Sequence, residues 1–310
     1  MYRSIMVPLD GSAFGEHALP LALTIAQRSG AVVRLVHVHA ASELVYMIGG
    51  APMAEELSEV PDREAELAYL DNLTQRLVSS WGVDVISTLL DGPPTLALRD
   101  YAVEHAASLV VMSTHGRRLV SRFWLGSVAD ALARSSAVPI LLVRSDQATE
   151  QGHAPDVRKI LVALDGSTLA EQILEPARML GDLSGASYTL LHVVEPHLLF
   201  RSAPFTTPTD FDADDTQRRQ VEAKRDLERV AGRLRAAGAT VSVDVRVAEP
   251  VAPAILDAAR DQNVDLVAIA TLGRSGLARF LLGSVADKVV RGAPVPVLLY
   301  RPQAPRLEDT

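Results

Sequence analysis

The chain repeats itself. Residues 114–130, THGRRLVSRFWLGSVAD, return at 271–287 as TLGRSGLARFLLGSVAD, with 11 of 17 positions identical. IMVPLDGS at 5–12 returns as ILVALDGS at 160–167, identical in six of eight positions, and VPILLV at 138–143 returns as VPVLLY at 295–300. The offset is 155 residues near the start of each half and 157 near its end, so a two-residue insertion separates the halves. A repeat of this length is a duplicated domain, not a solenoid unit of roughly 20 to 50 residues. A length of 310 residues suits two ordinary domains. The duplication sets their bounds at 1–146 and 158–303, with a linker at 147–157 and a tail at 304–310.

Within each half, short β-branched runs alternate with helix-length stretches. The first half gives strands at 4–9, 31–38, 83–90, 108–114 and 138–144, and helices at 14–29, 62–80, 94–106 and 126–135. The second gives KILVAL, ASYTLLHVV, TVSVDVRV, DLVAIAT and VPVLLYR, with helices near 169–183, 216–237, 252–262 and 284–291. Several strands are nearly continuous apolar runs, the pattern of strands buried on both faces. The alternation predicts an α/β fold with a parallel sheet and helices on both sides, joined by right-handed crossovers. Two loops stand out for length, 40–61 and 195–215, each after the second strand of its half.

Composition removes whole classes of function. Hydrophobic residues make up 48% of the chain, enough for two cores, yet no apolar run reaches the ~18 residues of a membrane helix. The opening MYRSIMVPLDGS meets Asp10 too soon for a signal peptide, so a soluble cytoplasmic protein is expected. The absence of cysteine excludes disulfides, thiolate zinc sites and thiol catalysis. A net charge of −8 argues against a nucleic-acid partner. The run DFDADDTQRRQVEAKRDLER at 210–229 reads as a polar loop entering a solvated helix.

The repeated motifs fall at one edge of the sheet. Asp10-Gly11-Ser12 closes the first strand, and the stretch from Ser113 closes the fourth. Open α/β sheets bind ligands at their carboxyl edge, where the order of strands reverses. Gly126-Ser127 stands at the start of the last helix, where amide N–H groups and the helix dipole favour an anion. Ser127 is a plausible N-cap, and Gly116 allows close backbone approach because it lacks a Cβ. No G-x-x-x-x-G-K-[ST] loop is present. A Gly-Ser at a helix start can be a simple cap, and an Asp-Gly after a strand a simple turn. Their recurrence together, in order, in both halves favours a nucleotide site, with the base near the aspartate and phosphates near the glycine.

These residues resemble the universal stress protein family, in tandem form. Its ATP-binding members carry G-x2-G-x9-G-[ST] after the fourth strand and an aspartate at the end of the first. Here Gly116, nine residues, Gly126 and Ser127 match in one half, and Gly273, nine residues, Gly283 and Ser284 in the other. The first motif glycine is replaced by Ser113 and Ala270. The resemblance implies two Rossmann-like domains of the adenine nucleotide alpha hydrolase type, each a five-stranded parallel sheet of order 3-2-1-4-5 with four helices. It implies a nucleotide site from Pro8, Asp10, Gly11, Ser12, Val38, Met112, Ser113, Gly116, Arg117, Gly126, Ser127 and Val128. In the second half the corresponding residues are Ala163, Asp165, Gly166, Ser167, Val193, Ala270, Gly273, Arg274, Gly283, Ser284 and Val285. Val38 and Val193 would line the adenine. The implied ligand is ATP, with or without Mg2+, and the implied assembly a homodimer built on pairing of the halves through their last strands.

Other candidates are weaker. His37 and His39 share one strand face, but only the first is repeated, as His192, with Val194 at the second place, so a metal pair is not favoured. Trp124 is matched by Leu281 and reads as packing. Glu16-His17 beside Asp10 and Ser12 suggests a hydrolytic set, but the second half is read as Ala170-Glu171 there, and no nucleophile–base pair repeats. The expected function is therefore an ATP-binding stress-response and signalling module, not primarily a catalyst. A nucleotide-free interaction scaffold, or a slow ATP or AMP hydrolase of the same superfamily, is the alternative. The S-G-G-x-D-S loop of the related hydrolases is absent, for these positions read LDGSAFGE and LDGSTLAE.

Overall fold

A computed structural model describes residues 1–39, 62–114, 125–144, 156–196, 213–271 and 282–303. The chain divides into two compact units, Met1–Pro155 and Asp156–Thr310. In the first unit the strands are β1 (Ser4–Leu9), β2 (Val32–His39), β3 (Val85–Asp91), β4 (Leu109–Ser113) and β5 (Ile140–Val143). The helices are α1 (Ala13–Glu16), α2 (Leu19–Ser29), α3 (Arg63–Trp81), α4 (Pro94–Glu104) and α5 (Ser127–Ser135). All pairings are parallel and the order is β3-β2-β1-β4-β5, with Ser4 opposite Val32, Ile5 opposite Leu109 and Val110 opposite Ile140.

The second unit repeats this plan. Its strands are β6 (Lys159–Ala163), β7 (Ser187–Val194), β8 (Thr240–Val247), β9 (Leu266–Ala270) and β10 (Val297–Tyr300). Its helices are α6 (Thr168–Glu171), α7 (Leu174–Gly181), α8 (Ala213–Ala236), α9 (Val251–Asp261) and α10 (Ser284–Gly292). The order is β8-β7-β6-β9-β10, again parallel throughout.

Helices cover both faces of each sheet, which explains the unbroken apolar strands. On β2, His37 and His39 face Glu66 of α3, while Arg34 of the opposite pleat reaches Tyr101 of α4. Every residue of β1, β4 and β5 is buried in consequence. The edge strand β3 is only partly covered.

Two expectations need correction. The first helix of each half is two elements, so among the described residues each unit has five helical segments, not four. Ser12 and Ser167 cap the single-turn α1 and α6, and the chain restarts as α2 and α7 with a proline in the first turn. Proline there forfeits no intrahelical bond. The long second-half helix starts at Ala213, so the expected loop 195–215 ends earlier. Among the described residues, no helix is long and apolar enough to cross a membrane.

Candidate functional site

The carboxyl edge of each central strand carries the same turn. Oδ1 of Asp10 accepts from the Ser12 amide at 3.0 Å and the Ser12 hydroxyl at 2.6 Å. The Ser12 oxygen in turn accepts from the Gly15 amide at 3.2 Å, which caps α1. In the second unit the distances are 2.9, 2.6 and 3.1 Å, from Ser167 to Asp165 and from the Ala170 amide to Ser167. Gly11 and Gly166, with φ of 73° and 83°, occupy the left-handed region that a side chain disfavours. The Asp-Gly-Ser motif is thus a self-contained turn that fixes one carboxylate oxygen.

The fourth strand ends on the other side of this turn. Met112 and Ser113, and Ala270 in the second unit, are buried strand residues. The Gly126 amide donates to the Thr114 carbonyl at 2.9 Å, and Gly283 to Thr271 at 3.0 Å. These glycines are themselves the N-caps: their carbonyls accept from Asp130 and Asp287, both at 2.9 Å. Ser127 and Ser284 are therefore the first helical residues, not the caps, and both are exposed. Among the described residues no side chain caps either helix, and the first-turn amides have no intrahelical partner.

In the second unit these elements enclose a cavity of about 380 Å³. Ala163 and Asp165 form its floor, Val193 one side, and Ala270, Gly283, Ser284 and Val285 the other. These residues were all expected at the site from the sequence. Gly166 and Ser167 do not line it; they build the turn behind Asp165. In the first unit Pro8 lies opposite Val36 and Val38 opposite Leu90, at the same edge as Asp10, while Val128 lies in the first turn of α5. Gly116, Arg117, Gly273 and Arg274 lie outside the described residues, as do Trp124, Leu281 and the segments 40–61 and 197–212.

The structure brings further residues to this edge. His192 and Glu195 also line the cavity, as does Arg219 of α8, which donates to the Glu195 carbonyl at 2.9 Å. In the first unit, Glu66 lies 3.1 Å from His37 Nε2 and 2.7 Å from His39 Nδ1, while His37 Nδ1 lies 2.8 Å from the Leu9 carbonyl. Burial pushes the Glu66 carboxyl up, but the hydrogen bonds and charge of His39 and His37 outweigh it and hold the carboxyl below its ordinary value. Among the described residues no group of three His, Cys, Asp or Glu side chains is arranged to hold a metal ion.

Helix α1 carries an anchor. Glu16 accepts from Arg76 at 2.8 Å and from Tyr69 at 3.1 Å, and burial followed by the Glu16 charge pushes the Tyr69 phenol well above its usual range. Its counterpart is Glu171, bound by Arg233 and Arg229. Glu16 thus does repeat, one place from where the sequence reading aligned it, and it serves as an ion-pair anchor. A full match of the 157 offset along α3 and α8 would have revealed the Arg76–Arg233 pair.

The model of the universal stress protein family matches residues 1–144 and again 156–301. A universal stress protein of Methanocaldococcus jannaschii is 30% identical over 147 residues, covering 46% of this chain and 83% of that one. One from Mycolicibacterium smegmatis is 27% identical over 305 residues, covering 96% of this chain and 97% of its own. The solved structure of a universal stress protein from Archaeoglobus fulgidus aligns with a TM-score of 0.64 at 20% identity, over 96% of this chain and 98% of that one, a likeness of fold.

Proposed function

Since the chain belongs to the universal stress protein family, we propose that it is a nucleotide-binding stress-response module whose ligand is ATP, with or without Mg2+. The observation that carries this reading is the second-unit cavity. It gathers Asp165, Val193, Ala270, Gly283 and Ser284 around a space of about 380 Å³, within the range of small-ligand sites. The phosphates would meet the amides of Ser284 and Val285 at the start of α10, because the Gly283 amide is already committed to Thr271. The dipole of α10 favours the anion there. The base would lie towards β7, beside Val193.

The reading is of a binder, not a catalyst. The repeated hydroxyl–carboxylate contact, Ser12 with Asp10 and Ser167 with Asp165, is spent on capping α1 and α6. The first unit carries the same turn and helix start, so up to two nucleotides per chain are expected. A homodimer is the further expectation of the resemblance; a mass of one chain in light scattering would remove it.

The experiment is denaturation of the purified protein, identification of released small molecules by mass spectrometry, and calorimetric titration of ATP. Ser127→Glu and Ser284→Glu are the informative variants. A carboxylate in the first turn favours the helix, so the fold is retained while phosphate is repelled. Each variant is expected to lose one site, with affinity there falling at least about tenfold. Release of no nucleotide and no heat with the wild-type chain overturn the reading in favour of a nucleotide-free scaffold.

A further inference from the structure

The two units do not present the same site. Helices α3 and α8 correspond at an offset of 157 residues: the buried Leu70 and Leu73 match the buried Leu227 and Val230, and Arg76, bound to Glu16, matches Arg233, bound to Glu171. At that offset Glu66 becomes Ala223, and Asp62 becomes Arg219. Asp62 caps α3 by accepting from the Glu64 amide at 3.0 Å. Arg219 instead lines the cavity. A carboxylate in one unit is thus replaced by a guanidinium in the other.

The cavity has two ends. β7 pairs with one side of β6 and β9 with the other, so Val193 and Glu195 stand opposite Ala270, Gly283 and Ser284, with Asp165 between. Arg219 is held at the β7 end by its bond from Nη1 to the Glu195 carbonyl. That bond uses one of five N–H donors and orients the planar fork. Glu195 also lines the cavity, so its negative charge stands at this end, away from the helix start that suits phosphate. The pairing of a fixed donor fork with a nearby acceptor fits the edge of a heteroaromatic base.

We propose that Arg219 contacts the base of a nucleotide bound in the second unit, donating to the N7 acceptor that purines share, and that the first unit lacks this contact. The proposal rests on the nucleotide reading above and adds a residue and a ligand class to it. It makes the second unit the tighter and more purine-selective of the two.

The test uses the full chain carrying Ser127→Glu, which leaves the second site to be read alone. ATP and 7-deaza-ATP, which lacks only the N7 acceptor, are titrated into this protein and into the same protein with Arg219→Met. The expected result is 7-deaza-ATP binding about tenfold more weakly than ATP when Arg219 is present, the scale of one hydrogen bond from a charged donor. With Arg219→Met, ATP should fall to the 7-deaza-ATP level and the two ligands become equal. Equal binding of both ligands with Arg219 intact overturns the proposal, and that arm needs no variant at residue 219. A loss in Arg219→Met that grows from AMP to ADP to ATP also overturns it, assigning Arg219 to phosphate instead. Failure of every nucleotide to bind the Arg219 protein defeats the nucleotide reading of the second unit, a pattern distinct from binding that ignores N7.

Discussion

Glycine at a helix start has two costs here that the sequence could not distinguish. A Cβ built on Gly126 meets the Thr114 carbonyl oxygen at 3.5 Å, an ordinary contact. On Gly283 it would meet the Thr271 carbonyl at 2.8 Å, which backbone cannot easily yield. Gly126→Ala should therefore change stability by no more than ~0.5 kcal/mol, while Gly283→Ala should cost ~1–3 kcal/mol through overpacking. Chemical denaturation with hydrogen exchange resolved by unit measures this, and equal losses would refute the steric account. Asp10, Gly11 and Ser12 were legible because three residue types in a fixed order encode one turn. Glu66 was not, because a glutamate in a polar helix looks solvated until the fold brings His37 and His39 against it.

Element boundaries followed local chemistry closely where that chemistry is local. β1 covers the expected residues 4–9, and α4 starts at Pro94, where proline suits a first turn. The break between α1 and α2 was missed because residues 14–29 keep an apolar stripe across it. The meeting of α3 with β2 was also hidden, since it depends on which face of β2 the helix covers. That contact carries a pH signature. The Glu66 carboxyl is lowered in the folded chain by His39 and His37, against burial, which raises it. Its folded value thus lies below its unfolded one, ordinarily about 4.3. The stability it contributes is complete above that value and is lost as pH falls through the folded one. Near it on α3, Arg63 pairs with the exposed Asp91, and Tyr69 and Arg76 bind Glu16. Glu66→Gln should destabilise the first unit by roughly 1–3 kcal/mol at neutral pH and flatten its loss of stability as pH falls below the ordinary carboxylate value of about 4.3. The second unit, with Ala223 at this place, should show no such change in exchange protection. An unaltered acid limb in the variant would mean that the carboxylate is not coupled to folding.

At the scale of the whole molecule, duplication fixed the architecture, and the two units differ at corresponding places within it. The repeat was visible at once, because turn and helix-start residues are constrained by backbone geometry in both halves. The divergence was not, since Asp62 against Arg219 and Glu66 against Ala223 lie in helices that align only at the offset of 157. Two units with one fold and different residues at corresponding places, Asp62 against Arg219, should respond unequally to one ligand. A ligand that binds only the folded state stabilises it by about 2.7 kcal/mol at 100 times its Kd. Hydrogen exchange at graded ATP should therefore show protection of β6, β9 and α10 at lower concentration than of β1, β4 and α5. Silencing the second site with Ser284→Glu should abolish the first response and leave the later one in place. Simultaneous protection of both units at one concentration in the wild-type chain would show that the substitutions along α8 do not alter affinity, and that the sites differ in lining but act as equals.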